Sequence, residues 1–253
     1  LIYEPGKAVF YTYDVRDRLS SVTDWTGRTT TLIYDAAGRL TQIQRPNGVR
    51  RNVGYDAGGQ LIFVEERNVT NKEPVIALRV AYDNGGRIQQ KLELPLWPPA
   101  APLSERVVSY NGDNQIAQFN GVPVSYDADG NILSLPTVGG TVACSWNARN
   151  QLTTYSTNTA YTYDAEGHRT SFSQGGLVTT FVNDPHAALS RVLIRQRPDG
   201  SRTFYIYGPV LLYELEENTG EARFYHYDHF GSTIAMTGDA GQVTGRANYS
   251  AYG

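Results

Sequence analysis

One stretch decides the fold of this chain: Tyr34-Asp35-Ala36-Ala37-Gly38-Arg39-Leu40, a phrase that returns along nearly its whole length. The phrase consists of an aromatic residue, Asp or Asn, two variable residues, usually Gly, a polar residue, and then Leu or Ile. Copies begin at Tyr13, Tyr34, Tyr55, Tyr82, Tyr126, Tyr163 and Tyr227, and weaker copies begin at Tyr110 and Trp146. The first three copies lie 21 residues apart, which indicates a repeat architecture.

Each position of the phrase has a physical reason to form a tight turn. Asp or Asn can accept a hydrogen bond from the backbone two residues further on, and Gly three residues later can take the left-handed conformation that closes a type I turn with a bulge. Asp17, Asn114 and Asn150 replace the Gly in three copies, and these residue types also tolerate that conformation. Leu or Ile then begins the return strand and turns an apolar side chain toward the buried side of a sheet.

A second, looser turn lies between each pair of phrases. Examples contain Gly27, Gly48, Gly121, Gly139-Gly140, Gly175-Gly176, Gly200, Gly220 and Gly241. Each unit of about 21 residues therefore holds two strands and two turns, and the alternation of Val53 and Tyr55 on one face is typical of a half-buried strand. Helical periodicity is nearly absent. The sequence predicts an all-β chain that runs as a long antiparallel meander of hairpins.

The number of strands also predicts curvature. Open twisted sheets rarely exceed ~10 strands without curling or closing, so we expect a curved sheet that is part of a spiral barrel or cage. The alternative is a β-propeller, because two repeats supply about the four strands of one blade. The uneven repeat spacing, and a unit of two strands rather than four, favour the curved wall.

Composition limits the possible partners. The net charge of −3 on 253 residues gives no electrostatic case for nucleic-acid binding. No apolar run approaches the ~20 residues of a membrane span, and no signal peptide is visible. The single cysteine, Cys144, excludes an intrachain disulfide. Because the chain begins at Leu1 and stops inside a repeat, we expect it to be a piece of a longer protein.

One segment departs from the repeat. The residues 94–103 hold four of the twelve prolines, which a central strand excludes, so we expect an apolar loop at the rim of the sheet. Apart from this loop, residues 1–253 are interpreted as a single repeat domain.

These phrases resemble the YD-repeat, or RHS-repeat, family, which includes bacterial Rhs polymorphic toxins, the shell-forming subunits of Tc toxins, and teneurins. The resemblance runs from Tyr13 to the end and is most specific in Tyr225-His226-Tyr227-Asp228-His229-Phe230-Gly231 and Tyr249-Ser250-Ala251-Tyr252-Gly253, which look like the terminal part of an RHS core.

The resemblance implies a fold and a role. In that family the repeats form a spiralling sheet that closes into a hollow cage, which in the bacterial toxins holds a toxic domain. The cage is sealed downstream by a plug with an aspartyl self-cleavage site. That downstream motif is not in this sequence, so no Asp of this chain inherits the cleavage role. The resemblance also implies a secreted or cell-surface location.

Candidate sites are few. His226 and His229, with Asp228 between them, could hold a metal, but a convincing fourth ligand is missing and adjacent strand residues point to opposite faces, so a turn sequence is the better interpretation. Most Asp residues occupy the first turn position, which argues against paired glycosidase carboxylates. We expect Glu65-Glu66 and Glu214, Glu216 and Glu217 to lie on exposed faces or near turns, and Cys144 to be a buried small hydrophobe.

The sequence therefore predicts no catalytic, cofactor-binding or metal-binding residue. The leading hypothesis is a non-catalytic wall of an encapsulating cage whose partners are the remaining repeats of the same polypeptide and a C-terminal toxin domain. A second hypothesis is a surface scaffold whose Tyr- and Arg-lined groove binds glycan or a partner protein. A hydrolase is the third. Unpaired edge strands also predict edge-to-edge self-association.

Overall fold

The computed structural model describes residues 1–94, 107–137, 139–187, 190–247 and 249. The chain divides into two compact units, of which the first comprises Leu1–Ala100 and Thr203–Gly253 and the second Ala101–Arg202. The apolar loop predicted for 94–103, and Ser250 to Gly253 of the terminal phrase, lie outside or almost wholly outside the described residues. The interpretation of residues 1–253 as one repeat domain stays a prediction.

The N-terminal part of the first unit is a β-meander. Its strands are β1 (Ile2–Glu4), β2 (Lys7–Ala8), β3 (Phe10–Tyr13), β4 (Leu19–Thr23), β5 (Thr29–Tyr34), β6 (Leu40–Gln44), β7 (Val49–Tyr55), β8 (Leu61–Asn68), β9 (Pro74–Tyr82) and β10 (Ile88–Leu94). Strands β3 to β10 pair in chain order as one antiparallel eight-stranded sheet. Within the described residues this sheet is open, with β3 and β10 at its ends. Eight consecutive strands in one sheet do not fit the four-stranded blades of the propeller alternative.

The recurring phrase forms the predicted bulged turn. In the copy at Tyr34, the amide of Asp35 donates to the carbonyl of Arg39 at 2.9 Å, and the amide of Gly38 donates back to the carbonyl of Asp35 at 3.1 Å. Gly38 has φ of 86°, and the strand register shifts between Ile33 and Tyr34. The turn chemistry expected from the sequence is therefore confirmed.

The three replacements of Gly also behave as predicted. Asp17, Asn114 and Asn150 have φ values of 57°, 60° and 58°, which is the left-handed region. The looser turns contain positive-φ glycines as well, for example Gly27 at 86° and Gly200 at 83°.

The second unit repeats the same construction. Its strands are β11 (Val108–Tyr110), β12 (Ile116–Phe119), β13 (Val122–Pro123), β14 (Ser125–Tyr126), β15 (Ile132–Thr137), β16 (Gly140–Trp146), β17 (Leu152–Tyr155), β18 (Thr159–Tyr163), β19 (Arg169–Gln174), β20 (Leu177–Asn183) and β21 (Val192–Gln196). Strands β11 to β13 form a three-stranded antiparallel sheet, and β14 to β21 pair antiparallel in chain order.

The first unit is completed by the last strands of the chain. These are β22 (Arg202–Tyr207), β23 (Leu211–Glu216), β24 (Ala222–Tyr227), β25 (Thr233–Thr237) and β26 (Val243–Arg246), which pair antiparallel in chain order. They share a core with the N-terminal sheet, since Ala235 clusters with Val49, Val75 and Ile76, and each is at most 4% exposed.

The all-β antiparallel meander predicted from the sequence is thus confirmed. In the described part of the chain, no segment is a helix long and apolar enough to cross a membrane.

Candidate functional site

In six copies of the phrase the hydroxyl of the tyrosine donates to a backbone carbonyl that precedes it in the array. The hydroxyl of Tyr34 donates to the carbonyl of Leu19 at 2.9 Å, and Leu19 is the residue that ends the preceding phrase. The same bond is formed by Tyr55 to Leu40, Tyr82 to Leu61, Tyr126 to Ile116, Tyr163 to Leu152 and Tyr227 to Leu211. The aromatic position is therefore a hydrogen-bond donor between repeats as well as an apolar surface.

The exception at Trp146 supports this role. Its indole Nε1 donates to the carbonyl of Ile132 at 2.8 Å, which is the bond that a tyrosine hydroxyl makes elsewhere. Trp is the aromatic residue besides Tyr that carries a donor on its ring system. The substitution therefore preserves the bond.

The polar residue after the Gly forms a second link between repeats. Nε of Arg39 donates to Oδ2 of Asp35 in its own turn at 2.7 Å, and its guanidinium lies 4.7 Å from the ring centre of Tyr55 in the next copy. Arg18 makes the equivalent contacts with Asp14 and Tyr34. These arginines combine an ion pair within a turn with a cation–π contact to the next turn.

Ionisation of the turn carboxylates is favoured by these contacts. The side chain of Arg18 lowers the pKa of Asp14 to about 2, with further support from the backbone amides of Arg18 and Arg16. The hydrogen bond from the amide of Arg39, followed by its guanidinium, lowers the pKa of Asp35. From the sequence, the position of Arg18 and Arg39 was identified only as polar. The recurrence of a polar residue at this position in every copy was the signal that it makes a contact within the array. We refer to this series of tyrosine turns as the YD rim.

A second polar arrangement lies inside the first unit, between the N-terminal sheet and the last strands. Glu66 on β8 is 0% exposed and accepts from two arginines. Nη1 of Arg45 lies 2.9 Å from its Oε2, and Nη1 of Arg51 lies 2.6 Å from its Oε1. The same guanidinium of Arg51 donates to the carbonyl of Tyr227 at 2.7 Å, so the cluster joins β7 and β8 to β24.

A histidine extends the cluster. His226 on β24 is 0% exposed, and its Nδ1 contacts Oε2 of Glu66. Its Nε2 lies 2.8 Å from Oγ1 of Thr237 on β25, and Nδ2 of Asn47 donates to the same hydroxyl oxygen at 2.9 Å. We call the group of Arg45, Arg51, Glu66, His226, Thr237 and Asn47 the clasp.

Burial and charge act against each other in the clasp. Burial disfavours the charged form of Glu66, but Arg45, His226 and Arg51 outweigh it and hold the pKa of Glu66 far below its usual range. Burial also lowers the pKa of His226, and Arg45 and Arg51 add to this effect, whereas Glu66 opposes it. The carboxylate is therefore ionised and the imidazole neutral near neutral pH.

The connectivity of Thr237, His226 and Glu66 is that of a nucleophile, a base and an orienting carboxylate. All three side chains are 0% exposed, so the hydroxyl is not open to a substrate. What the arrangement does here is to hold the last strands against the N-terminal sheet by long-range polar bonds.

Two expectations about acidic residues were wrong. Glu66 was expected on an exposed face, but it alternates with Glu65 and so points inward beside Val64 and Asn68, where Arg45 and Arg51 compensate its charge.

Glu214 is likewise only 4% exposed, contrary to the prediction for this group of acidic residues. It accepts from Arg223 at 2.8 Å and from the hydroxyl of Tyr225 at 3.0 Å. Glu216 and Glu217 are partly buried. The open groove beside Glu214 also contains Asp239, whose Oδ2 already accepts from the amide of Ala222 at 2.9 Å.

The structure separates the roles of the two histidines of the terminal phrase. His226 belongs to the clasp, whereas the ring of His229 lies 3.8 Å from that of Phe230, and Asp228 accepts backbone amides of its own turn. Among the described residues, no group of three or more His, Cys, Asp or Glu could hold a metal ion. Cys144 is buried as predicted, and burial raises the pKa of its thiol.

Comparison with known proteins agrees with the repeats. The profile of the RHS Repeat family matches residues 13–50 and 34–70. Residues 13–70 therefore carry RHS repeats. This agrees with the bonds that join successive copies of the phrase.

Curated relatives are much longer than this chain. The tRNA3(Ser)-specific nuclease WapA of Bacillus spizizenii is 31% identical over 153 residues, which is 57% of this chain and 6% of the relative. The tRNA(Glu)-specific nuclease WapA of Bacillus subtilis subsp. natto is 28% identical over 152 residues, again 6% of its length.

A solved structure shares the fold of this chain. The crystal structure of TcdB2-TccC3-TEV has a TM-score of 0.55 at 14% identity, over 98% of this chain and 18% of that chain. At this identity the likeness concerns the fold alone.

Proposed function

We propose that this RHS-repeat chain is a structural, non-catalytic segment of the wall of an encapsulating β-shell, which shields a C-terminal toxin or effector domain of the same secreted or cell-surface polypeptide. The remaining repeats of that polypeptide are its partners. The chain spans only 6% of its WapA relatives, which leaves room for such domains.

The observation that carries this proposal is the YD rim. Tyrosines of successive copies donate to a carbonyl of the preceding copy, as Tyr34 does to Leu19 and Tyr55 does to Leu40. Such bonds let an antiparallel sheet grow by whole hairpins while its buried backbone groups stay paired. A surface that grows in this way suits a wall better than a catalytic site.

The burial of the most enzyme-like group also supports a structural role. Thr237, His226 and Glu66 are fully enclosed, and the carboxylates of the YD rim accept hydrogen bonds from their own turns. The described residues thus use their acids and bases to hold backbone and strands together.

The test begins with the gene beyond residue 253, which the proposal expects to encode an effector domain. The full polypeptide and two variants, Glu66→Gln and Glu65→Gln, are then treated with protease. We expect the effector domain to resist digestion in the wild type and in Glu65→Gln, whose side chain is 33% exposed, and to be digested in Glu66→Gln. An absent effector domain, or equal digestion in all three proteins, would overturn the proposal.

The glycan-binding scaffold stays a prediction. Saturable binding to a glycan panel by the isolated chain would favour it, whereas a plain wall gives no saturable signal.

A further inference from the structure

The hydrogen bonds that link Asn47, Thr237, His226 and Glu66 in the clasp run in one direction. A neutral imidazole has one donor and one acceptor nitrogen. Nδ1 of His226 faces the carboxylate of Glu66, which only accepts, so the proton lies on Nδ1. Nε2 then accepts from the hydroxyl of Thr237, whose oxygen accepts from Nδ2 of Asn47. The order Asn47 to Thr237 to His226 to Glu66 therefore fits the neutral histidine.

A second proton on His226 breaks this order. Nε2 becomes a donor that faces the oxygen of Thr237, which already accepts from Asn47, and the hydroxyl proton of Thr237 loses its acceptor. A buried donor that loses its acceptor destabilises the folded state, because it has given up its hydrogen bonds to water.

The charges around His226 also disfavour its protonation. The groups that face His226 are Glu66 from β8, Arg51 from β7, Arg45 from the turn after β6, and Thr237 from β25. The two guanidinium groups already outnumber the single carboxylate, and their side chains are only 3% exposed for Arg45 and 11% exposed for Arg51. An imidazolium adds a third cation to one anion in a site from which water is excluded.

We propose that the clasp is an acid-sensitive release: uptake of one proton by His226 loosens strands β24 and β25 from the N-terminal sheet of the first unit. The bonds at stake connect distant parts of the chain, since Glu66 and His226 are 160 positions apart and Asn47 and Thr237 are 190 apart. The release is a property of this chain and does not depend on whether the shell contains an effector.

The direction of the pH dependence follows from linkage. The pKa of His226 is lowered in the folded chain from its ordinary value of 6.5, so the unfolded state binds the proton more readily. The stabilisation is complete above pH 6.5 and is lost as the pH falls below that value. The lowered pKa of Glu66 gives a second loss below its ordinary value of 4.5.

Hydrogen exchange of the chain at pH 7.5, 6.5 and 5.5, corrected for the intrinsic rate, tests the release. We expect protection of β24 and β25 to fall by up to about tenfold between pH 7.5 and 5.5, because this range extends one pH unit below the ordinary pKa of 6.5. Strands β18 and β19 of the second unit serve as the internal reference, and their protection is expected to stay constant.

Three variants test whether His226 causes the pH dependence of protection in β24 and β25. His226→Gln removes the titrating group, so protection of β24 is expected to be flat between pH 7.5 and 5.5. His186→Gln changes a histidine that is 93% exposed and is expected to keep the wild-type profile. His229→Gln controls for the neighbouring histidine, whose pKa burial also lowers, and is expected to retain the loss at β24 and β25.

A direct titration keeps the proposal testable if His226→Gln does not fold. NMR of the imidazole nitrogens in the wild type is expected to show a pKa for His226 below 6.5 and the proton on Nδ1. A His226 that titrates at or above 6.5, or protection of β24 that is the same at pH 7.5 and 5.5, would overturn the proposal.

Discussion

The YD rim and the clasp satisfy the same kinds of polar group in opposite ways. In the rim, Asp35 bonds to Arg39 four positions later, at partly exposed positions, and the contact recurs from copy to copy. In the clasp, Glu66 bonds to His226 across 160 positions, and both side chains are fully buried. This arrangement occurs once among the described residues. The contacts of the rim join neighbouring copies of the phrase, whereas those of the clasp join the last strands of the chain to its N-terminal sheet.

The difference in burial between rim and clasp indicates which polar contacts contribute most to the stability of the first unit. Exposed ion pairs contribute little because water competes for both partners. Buried charges that lose a partner are costly because the remaining charge is left without solvent. The rim should therefore tolerate single changes that the clasp does not.

The largest effect is expected for Glu66→Gln. The change leaves Arg45 and Arg51 buried beside a neutral side chain, which should cost about 3–5 kcal/mol in the free energy of unfolding. Urea denaturation measures this cost, and Glu65→Gln on the opposite face of β8 is the matched control, with an expected change within about 0.5 kcal/mol. Similar losses for the two variants would contradict the higher cost expected for the buried carboxylate of the clasp.

A smaller difference is expected when the same hydroxyl is removed from two tyrosines. Tyr213 is 0% exposed and donates to Oδ2 of Asp24 at 3.1 Å, so Tyr213→Phe leaves a buried carboxylate oxygen without that donor. We expect a loss of about 1–3 kcal/mol for Tyr213→Phe and about 0.5–1.5 kcal/mol for Tyr34→Phe, whose bond at the rim is partly buried. Denaturation of both variants in parallel tests the ranking, which an equal or reversed pair of values contradicts.

Backbone conformation gives the next effect in size. An alanine at Gly38 would have open space, with the nearest atom 3.8 Å from its Cβ, but it must adopt φ of 86°. Gly38→Ala should therefore cost about 1–2 kcal/mol through strain alone. The reverse change at the equivalent position, Asp17→Gly, relieves a φ of 57° and is expected to show no such loss. Thermal unfolding of both variants decides whether strain sets the choice of residue here.

The smallest effect on stability, but a clear one on ionisation, is expected for Arg18→Gln. Without the guanidinium, the pKa of Asp14 should rise from about 2 toward its ordinary value of 3.8. Since the folded pKa is lowered, the stabilisation is present above pH 3.8 and is lost as the pH falls toward 2, so the variant should lose stability above pH 3.8 and match the wild type in acid. The loss should be small because water screens an ion pair at this exposed turn. Carboxyl NMR measures the shift. Arg16→Gln is the control, because Arg16 directs its guanidinium to the carbonyl of Ala36.

The sequence predicts the rim well because its contacts are local. Asp, Gly and Leu at fixed offsets specify a bulged turn without reference to the rest of the chain, and even Asp17 and Asn150 could be assigned to the left-handed position. The hydroxyl bonds of the tyrosines were missed because their acceptors are backbone carbonyls, which every residue has. Only the replacement of Tyr by Trp146 carried a sign of the donor.

The clasp could not be predicted because its partners are distant in sequence. Two adjacent acids, Glu65 and Glu66, look alike, and alternation says that they face opposite ways without saying which one is buried. The face is decided by His226, Arg45 and Arg51, which meet only when the last strands pack on the N-terminal sheet. Sequence arguments about charged strands therefore fail where two sheets meet.

The bond from each tyrosine to the leucine of the copy before it has an evolutionary consequence. The copy of Tyr34, for example, donates backward to Leu19 and receives a bond at Leu40 from Tyr55 of the copy that follows. Duplication or loss of one whole copy leaves each tyrosine hydroxyl with a carbonyl acceptor. Loss of half a copy would remove either the hydroxyl or the carbonyl and leave the other group without its partner. The length of such an array can thus change in whole hairpin pairs by simple recombination, without new mutations at the joint.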